Sequence, residues 1–552
     1  MQKNVGLKTA LKVLSGALSV SYLTAGLLAA DYDLVIKNGI MVDGTGVPGV
    51  AATIGIKDGL ITYVGDAESL DADEVVDAKG LVVSPGFVDA HNHSESVYIN
   101  PADHLNTAYL LQGVTTTIVG NDGFLNPEQI KGLQKYIAEY GTGTNVAAYV
   151  GHNGVRRVVM GSEQRAPTSE ELAKMKALVH EGMEEGAIGF STGLMYDPGK
   201  FSDTAEVIAL AKEAAPYGGT YDSHIRNPVH DLIGSATEAI EIGRSAGIGA
   251  KISHAKLVGL PNKSKMPEFL KLVEDARSEG LNVVTDQYPY NGAATSFLWD
   301  MIALPEQFAE SQNKDDAYGS AKDRATLKTL LAVQENLPSI AAFNEAGGRG
   351  FSWVDAVGYT AMRIVDAPEN PELVGKHISE LASEWAVSGF EALARIIVNS
   401  SQPILMTLGS VEESNVQKLL VQPWNMVSSD GAWADASKEL RMHHPRSTGS
   451  FPRVVGHYAR DLKLMSMEEA IRKMTSFPVA FMGLGKRGII REGYVADIAI
   501  FNPDEIVDRS TWVDPDLMSV GMVDVIVAGK LVLKDGKPTG TASGTFIKLA
   551  HD

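Results

Sequence analysis

From about Gly86 to about Gly483 the chain alternates short apolar runs rich in β-branched residues with stretches of helical periodicity. A chain patterned this way is confined to parallel sheets covered by helices, because each strand must be followed by a crossover long enough to hold a helix. Strand-like runs include Thr115–Val119, Ala148–Val150, Ala187–Ser191, Lys251–Ser253 and Asn282–Thr285. Between them, Ser169 to Glu185 and Thr204 to Ala215 carry the apolar spacing of amphipathic helices. Such βα repetition predicts an α/β fold, a TIM-like (β/α)8 barrel over about 85–485.

Both ends of the chain read differently. Residues 31–84 and 486–552 hold short strands punctuated by glycine, as in Asp31–Gly39, Ile54–Gly59, Ala496–Phe501 and Val525–Leu533. They predict one small β-sandwich assembled from the two ends. The segment from about 292 to 421 is too long for a single βα connection and has helical pieces, Asp323 to Glu335 and Pro371 to Glu384. It is expected to be an insertion over the barrel mouth.

The first thirty residues place Lys3, Lys8 and Lys12 ahead of an apolar run from Val13 to Ala30. This is the pattern of a secretory signal, with the bacterial periplasm or the exterior as destination; a single membrane anchor is the alternative. The formal net charge of -20 excludes nucleic acid as a partner, since a polyanion would be repelled. Self-association is left open. With no cysteine, any metal site must be built from imidazole and carboxylate.

Phe87-Val88-Asp89-Ala90-His91-Asn92-His93 is an apolar strand that ends in two histidines one residue apart. Strand alternation sends both imidazoles to one side, where they can grip a cation together. His224 and His254 stand at the ends of two later strand-like runs, and four histidines at the strand ends of one barrel converge in space. Met426-Val427-Ser428-Ser429-Asp430-Gly431 adds a carboxylate at the end of the last strand. Beside such a cluster Asp430 is the natural proton shuttle.

These motifs resemble the amidohydrolase superfamily and, within it, the N-acyl-D-amino-acid deacylase (D-aminoacylase) family. The resemblance extends through Gln112–Thr116, Gly186–Leu194, Ser223–Arg226, Ile252–Lys256, Asp286–Tyr290, Ser429–Gly431, His444–Arg446 and Ala496–Ile498. It implies one zinc position surrounded by His91, His93 and Asp430 and a second held by His224 and His254. In that family a cysteine in a Gly-Asn-Cys-Gly motif is the remaining ligand, whereas this chain reads Gly120-Asn121-Asp122-Gly123. Asp122 therefore stands in place of a thiolate, and loss of a soft ligand opens the site to other divalent ions. The resemblance also points to Lys256, Tyr288 or Tyr290, and Arg446 as donors to a substrate carboxylate, Arg446 foremost because guanidinium binds carboxylate bidentately.

The expected activity is hydrolysis, by a metal-activated water, of the amide bond in an N-acyl-D-amino acid or a related carboxylate-bearing amide or dipeptide. Two alternatives stand beside it. One is another amidohydrolase chemistry, such as opening a cyclic amide or cleaving a peptide or an amide-linked natural product; the other is a non-catalytic binding protein on a degenerate barrel.

Overall fold

A computed structural model describes residues 30–293, 295–313, 319–409, 411–432 and 444–549. The export signal expected over 1–30 lies, apart from Ala30, outside the described residues. No helix among the described residues is long and apolar enough to cross a membrane.

Strands from both chain ends share one nine-stranded sheet. Tyr32–Met41, Val50–Lys57 and Leu60–Gly65 form an antiparallel meander. Val82–Pro85 then pairs with Ile498–Phe501, which carries Met522–Val527 and Lys530–Lys534 beyond it. Isoleucines and valines from both ends, Ile36, Ile54, Ile56, Ile498 and Ile526 among them, make a single apolar cluster. Ala72–Asp77, a strand that the sequence pattern does not announce, runs parallel to Tyr32–Met41; its residues alternate between exposed and shielded and only Val76 is buried.

Between these ends lie two parallel sheets. One joins Phe87–Asp89, Val114–Val119 and Asn145–Ala148; the other joins Val150–Gly151, Gly189–Gly193, Thr220–His224, Ala250–Ile252, Val283–Gln287 and Asn425–Val427. Every residue of these strands is buried, polar ones such as Asp222, Asp286 and Gln287 included, so the strands show no alternation of buried and exposed positions. Helices Pro127–Tyr140 and Ser169–Glu184 start at the capping boxes Asn126/Gln129 and Thr168/Glu171.

Between Gln287 and Asn425 the chain builds a separate antiparallel sheet of Thr295–Phe297, Leu405–Leu408 and Met362–Asp366, with its own helices. The helix expected over Pro371 to Glu384 begins only at Ile378. Pro371–Leu373 makes one 3-10 turn, and Gly375, at a φ of +89°, breaks the path before Ile378–Trp385 starts.

Candidate active site

Four imidazoles and two carboxylates meet where the parallel strands end. His91 and His93 follow the strand Phe87–Asp89, and their Nε2 atoms stand 3.2 Å apart. His224 is the last residue of its strand, and His254, Asp122 and Asp430 each lie just beyond one. Asp122, His254 and Asp430 all have positive φ, +57°, +34° and +49°. For a side chain with a Cβ that conformation costs on the order of 1 kcal/mol, and here it coincides with a turn of each side chain toward a common centre.

Asp122 stands at that centre. Its Oδ1 lies 3.6 Å from His91 Nε2 and 3.5 Å from His254 Nε2. Its Oδ2 lies 3.7 Å from His93 Nε2 and 3.5 Å from His224 Nδ1. Asp430 Oδ1 closes the other side, 3.2 Å from His93 Nε2 and 3.6 Å from His91 Nε2. Among the buried atoms of these side chains, Asp122 Oδ1, His91 Nδ1 and His224 Nε2 have no hydrogen-bond partner. Nitrogen and oxygen donors that converge at these separations, with the buried Asp122 Oδ1 left without a hydrogen bond, fit divalent cations better than they fit one another.

The charges of these groups are set by burial and by one another. Burial and the neighbouring Lys256 push His254 down to about 3, so its ring stays neutral. Burial alone would raise Asp122 and Asp430; the imidazoles hold the first well below the usual carboxylate range, and Arg446, foremost, does so for the second. Burial also opposes a charge on His93, yet the hydrogen bond to Asp430 and the Asp122 charge bring it up to about 9.

A second layer of buried groups fixes these side chains. Asp89, fully buried, accepts from the backbone N–H of Ser429 at 2.8 Å, from Ser429 Oγ at 2.5 Å and from Asn92 Nδ2 at 2.8 Å. It thereby ties the strand end that bears the histidine pair to the one that bears Asp430. Asp286 accepts from the His254 N–H and from Ser428 Oγ, and pairs with Lys251 Nζ at 2.7 Å. Asp89→Ala should cost about 3 kcal/mol of stability and reduce metal content, because charged hydrogen bonds are lost and several buried donors are left unmet. Denaturant unfolding together with metal analysis measures both effects; an unchanged midpoint refutes the tie.

The candidate donors to a carboxylate separate in space. Lys256 and Arg446 line the same cavity as His93, His224, His254 and Asp430, a cleft of about 720 Å³. Arg446 Nη1 donates to Asp430 Oδ2 at 2.5 Å, and Lys256 Nζ is 3.9 Å from that oxygen. Tyr288 is a platform: both cations sit 4.9 Å from its ring centre, while its hydroxyl donates to the carbonyl of Ala293. Tyr290 points elsewhere. Its hydroxyl donates to Asp508 at 3.0 Å and its ring packs under Arg453, so it sits outside the cleft expected to hold it. Sequence reasoning passed over Tyr196, whose hydroxyl lies 3.1 Å from His224 Nδ1 at the cleft wall. Its place just after the strand Gly189–Gly193 was the available signal.

The model of the family described as Amidohydrolase family matches residues 74–216 and 392–533. The D-aminoacylase of Alcaligenes xylosoxydans xylosoxydans is 31% identical over 538 residues, 94% of this chain and 97% of that protein. The N-acyl-D-glutamate deacylase of the same organism is 31% identical over 529 residues, 92% of this chain and 95% of that one. A solved D-aminoacylase with a binuclear metal centre superimposes with a TM-score of 0.73 at 28% identity, covering 94% of this chain and all of that one. The N-acyl-D-glutamate deacylase of Bordetella bronchiseptica, solved with zinc and a phosphonate that mimics the tetrahedral intermediate, gives 0.72 at 29% identity, covering 94% and 99%. With His91, His93, Asp122, His224, His254 and Asp430 gathered at its strand ends, the chain belongs to the amidohydrolase family, in the branch of the D-aminoacylases.

Proposed function

We propose that this protein hydrolyses the amide bond of N-acyl-D-amino acids, releasing a carboxylic acid and a free D-amino acid. The observation that carries the reading is the single cleft in which the imidazole–carboxylate cluster lies beside two cations, Lys256 and Arg446. The scaffold is a closed (β/α)8 barrel over about 85–485, with the insertion of about 292–421 at its mouth and a sandwich-like sheet made from 31–84 and 486–552. Closure is supported by the parallel bridge from Asn92 to Gly431, by Asp430 N–H donating to the His91 carbonyl, and by Ile188 N–H donating to the Ala148 carbonyl between the two parallel sheets.

His91, His93, Asp122, His224, His254 and Asp430 would hold one or two zinc ions. A bound zinc supplies Lewis acidity, polarising the scissile carbonyl and acidifying water. Asp430 takes the proton of the attacking water on its carboxylate and passes it to the amide nitrogen as the C–N bond breaks, so that the amine leaves neutral. Burial foremost holds the Tyr196 hydroxyl well above its ordinary value, so it keeps its proton and can donate to the oxygen on which negative charge develops. Lys256 and Arg446 bind the α-carboxylate. Arg446 has a double duty, because the same guanidinium keeps Asp430 ionised.

Chelation should abolish hydrolysis of N-acetyl-D-amino acids, and zinc should restore it; activity that persists in metal-free protein overturns the reading. Lys256→Ala should act mainly on KM. Arg446→Ala should raise KM and lower kcat together, a loss of about 3 kcal/mol in kcat/KM. Unchanged kinetics for both variants would leave the carboxylate without its donors.

Export belongs to the same reading: the Lys-then-apolar start is removed and the mature chain begins near Ala30. Amino-terminal sequencing that returns Met1 refutes it.

A further inference from the structure

Arg446 opens the helix Arg446–Arg453, and residues from the C-terminal end of the chain pack against that helix. Between the strands Ile498–Phe501 and Met522–Val527 the chain leaves its sheet. Val507 and Val520 exchange both backbone hydrogen bonds at 3.1 Å, and residues 508–519 form a closed loop beyond that neck. The loop grips the chain on both sides of Arg446. Ser510 Oγ donates to the Pro445 carbonyl at 3.1 Å, Thr448 Oγ1 donates to the Pro515 carbonyl at 2.8 Å, and Ser519 Oγ donates to the Thr448 carbonyl at 2.6 Å. A Cβ on Gly449 would fall 2.8 Å from both Asp508 Cβ and Ser510 Oγ and closer still to the Tyr290 hydroxyl, so helix and loop approach to a distance that only glycine allows.

Two side chains of the loop reach further. The indole of Trp512 meets the ring of His444 edge to face, 4.7 Å between centres, and His444 Nδ1 accepts the Arg446 backbone N–H at 3.1 Å. The same indole covers Gly292, where a Cβ would clash with it, next to the Ala293 carbonyl that accepts from Arg446 Nη1 at 3.5 Å. Asp508 anchors the loop: its carboxylate accepts from the Tyr290 hydroxyl at 3.0 Å and pairs with Arg453 Nη1 at 3.1 Å. None of residues 508–519 is among the described residues that line the cleft. We infer that Trp512 and Asp508 are positioning residues for Arg446: from outside the cleft, this loop of the C-terminal section sets the guanidinium that pairs with Asp430 and, on the deacylase reading above, receives the substrate carboxylate. A bidentate donor binds only in one orientation, so a helix start free to shift would weaken it without removing it.

Full-length, zinc-loaded wild type, Trp512→Ala, Arg446→Ala and the double variant form a cycle, read on N-acetyl-D-methionine. Trp512→Ala should raise KM and lower kcat together, about tenfold in kcat/KM, with metal content unchanged, and should cost less than about twofold once Arg446 is absent. Trp512→Phe, which keeps an aromatic edge against His444, should recover most of the loss. If Trp512→Ala does not fold, Ser510→Ala, which removes only the bond to Pro445, carries the same cycle with an expected loss of about threefold. Effects of the two substitutions that multiply, or a loss that merely follows loss of metal, overturn the inference. If the wild type turns over no N-acyl-D-amino acid, the deacylase reading fails, and melting the same four proteins decides the inference: coupled losses of melting temperature sustain the hold on Arg446, and additive losses overturn it.

Discussion

Asp430→Asn should lower kcat by roughly 10²–10⁴-fold while the protein retains most of its metal, because the amide keeps the shape of the side chain and loses the base. His91, His93, Asp122, His224 and His254 remain to bind cations, so ligand loss is partial and proton transfer is what disappears. The substitution also strips Arg446 of its anionic partner, whose Nη1 now donates to Asp430 at 2.5 Å inside the protein. A buried guanidinium without its counter-charge should destabilise the fold by about 2 kcal/mol and lower the melting temperature by a few degrees. Metal content, kcat and a thermal melt of the same preparation distinguish these effects. A variant that keeps wild-type kcat, or one whose kcat falls only in proportion to its metal, would remove Asp430 from the role of shuttle.

How much of this was legible in the residues depended on whether the information was local. His91 and His93 could be read together because an apolar strand leads directly into a pair spaced by two; they follow the strand's last residue, Asp89, and the structure still sets their Nε2 atoms 3.2 Å apart. His224, His254 and Asp430 could be read because each follows an apolar strand run, and parallel strands bring their ends into one plane. Pairings across the chain carried no such mark. The contact of Asp89 with Ser429 spans 340 residues, and the ion pair of Arg446 with Asp430 joins a helix start to a loop. The residues of that pair looked like a substrate anchor and a free base, and only the folded geometry shows that each holds the other. Trp353 lies in the insertion, where nothing in the local pattern connects an indole to a cleft lined by residues from His93 to Arg446.

Local pattern also failed where an element is only partly buried. The strand Ala72–Asp77 contributes Val76 alone to the core and reads as an acidic loop. Tyr288 and Tyr290 were equivalent on the page of the sequence, two residues apart across a proline. In the structure the first lies beneath both cations and the second is drawn off by Asp508 and Arg453. Spacing of two does not guarantee a shared side once a strand has ended, and the strand here stops at Gln287.

Asp122→Asn is the most exposed test, since it alters the one position where the chain departs from the motif of its family. Each oxygen of this carboxylate touches one histidine of each pair, Oδ1 reaching His91 and His254 and Oδ2 reaching His93 and His224. An anion so placed can serve two cations at once, and it neutralises part of their mutual repulsion. Replacing one oxygen by an amide removes the charge and substitutes an N–H donor, which a divalent ion cannot use as a ligand. Metal content and kcat should therefore fall together, each by tenfold or more at limiting zinc, with part of the activity returning as zinc is raised. The backbone gives the contrary expectation its own force: Asp122 sits at a φ of +57° within a tight turn, a conformation that asparagine tolerates at least as well. If the residue served only the turn, the variant would fold, bind metal and turn over like its parent. Metal titration of the apo variant followed by thermal denaturation decides the matter, because a turn residue leaves both curves in place whereas a bridging ligand moves the metal curve and spares the fold.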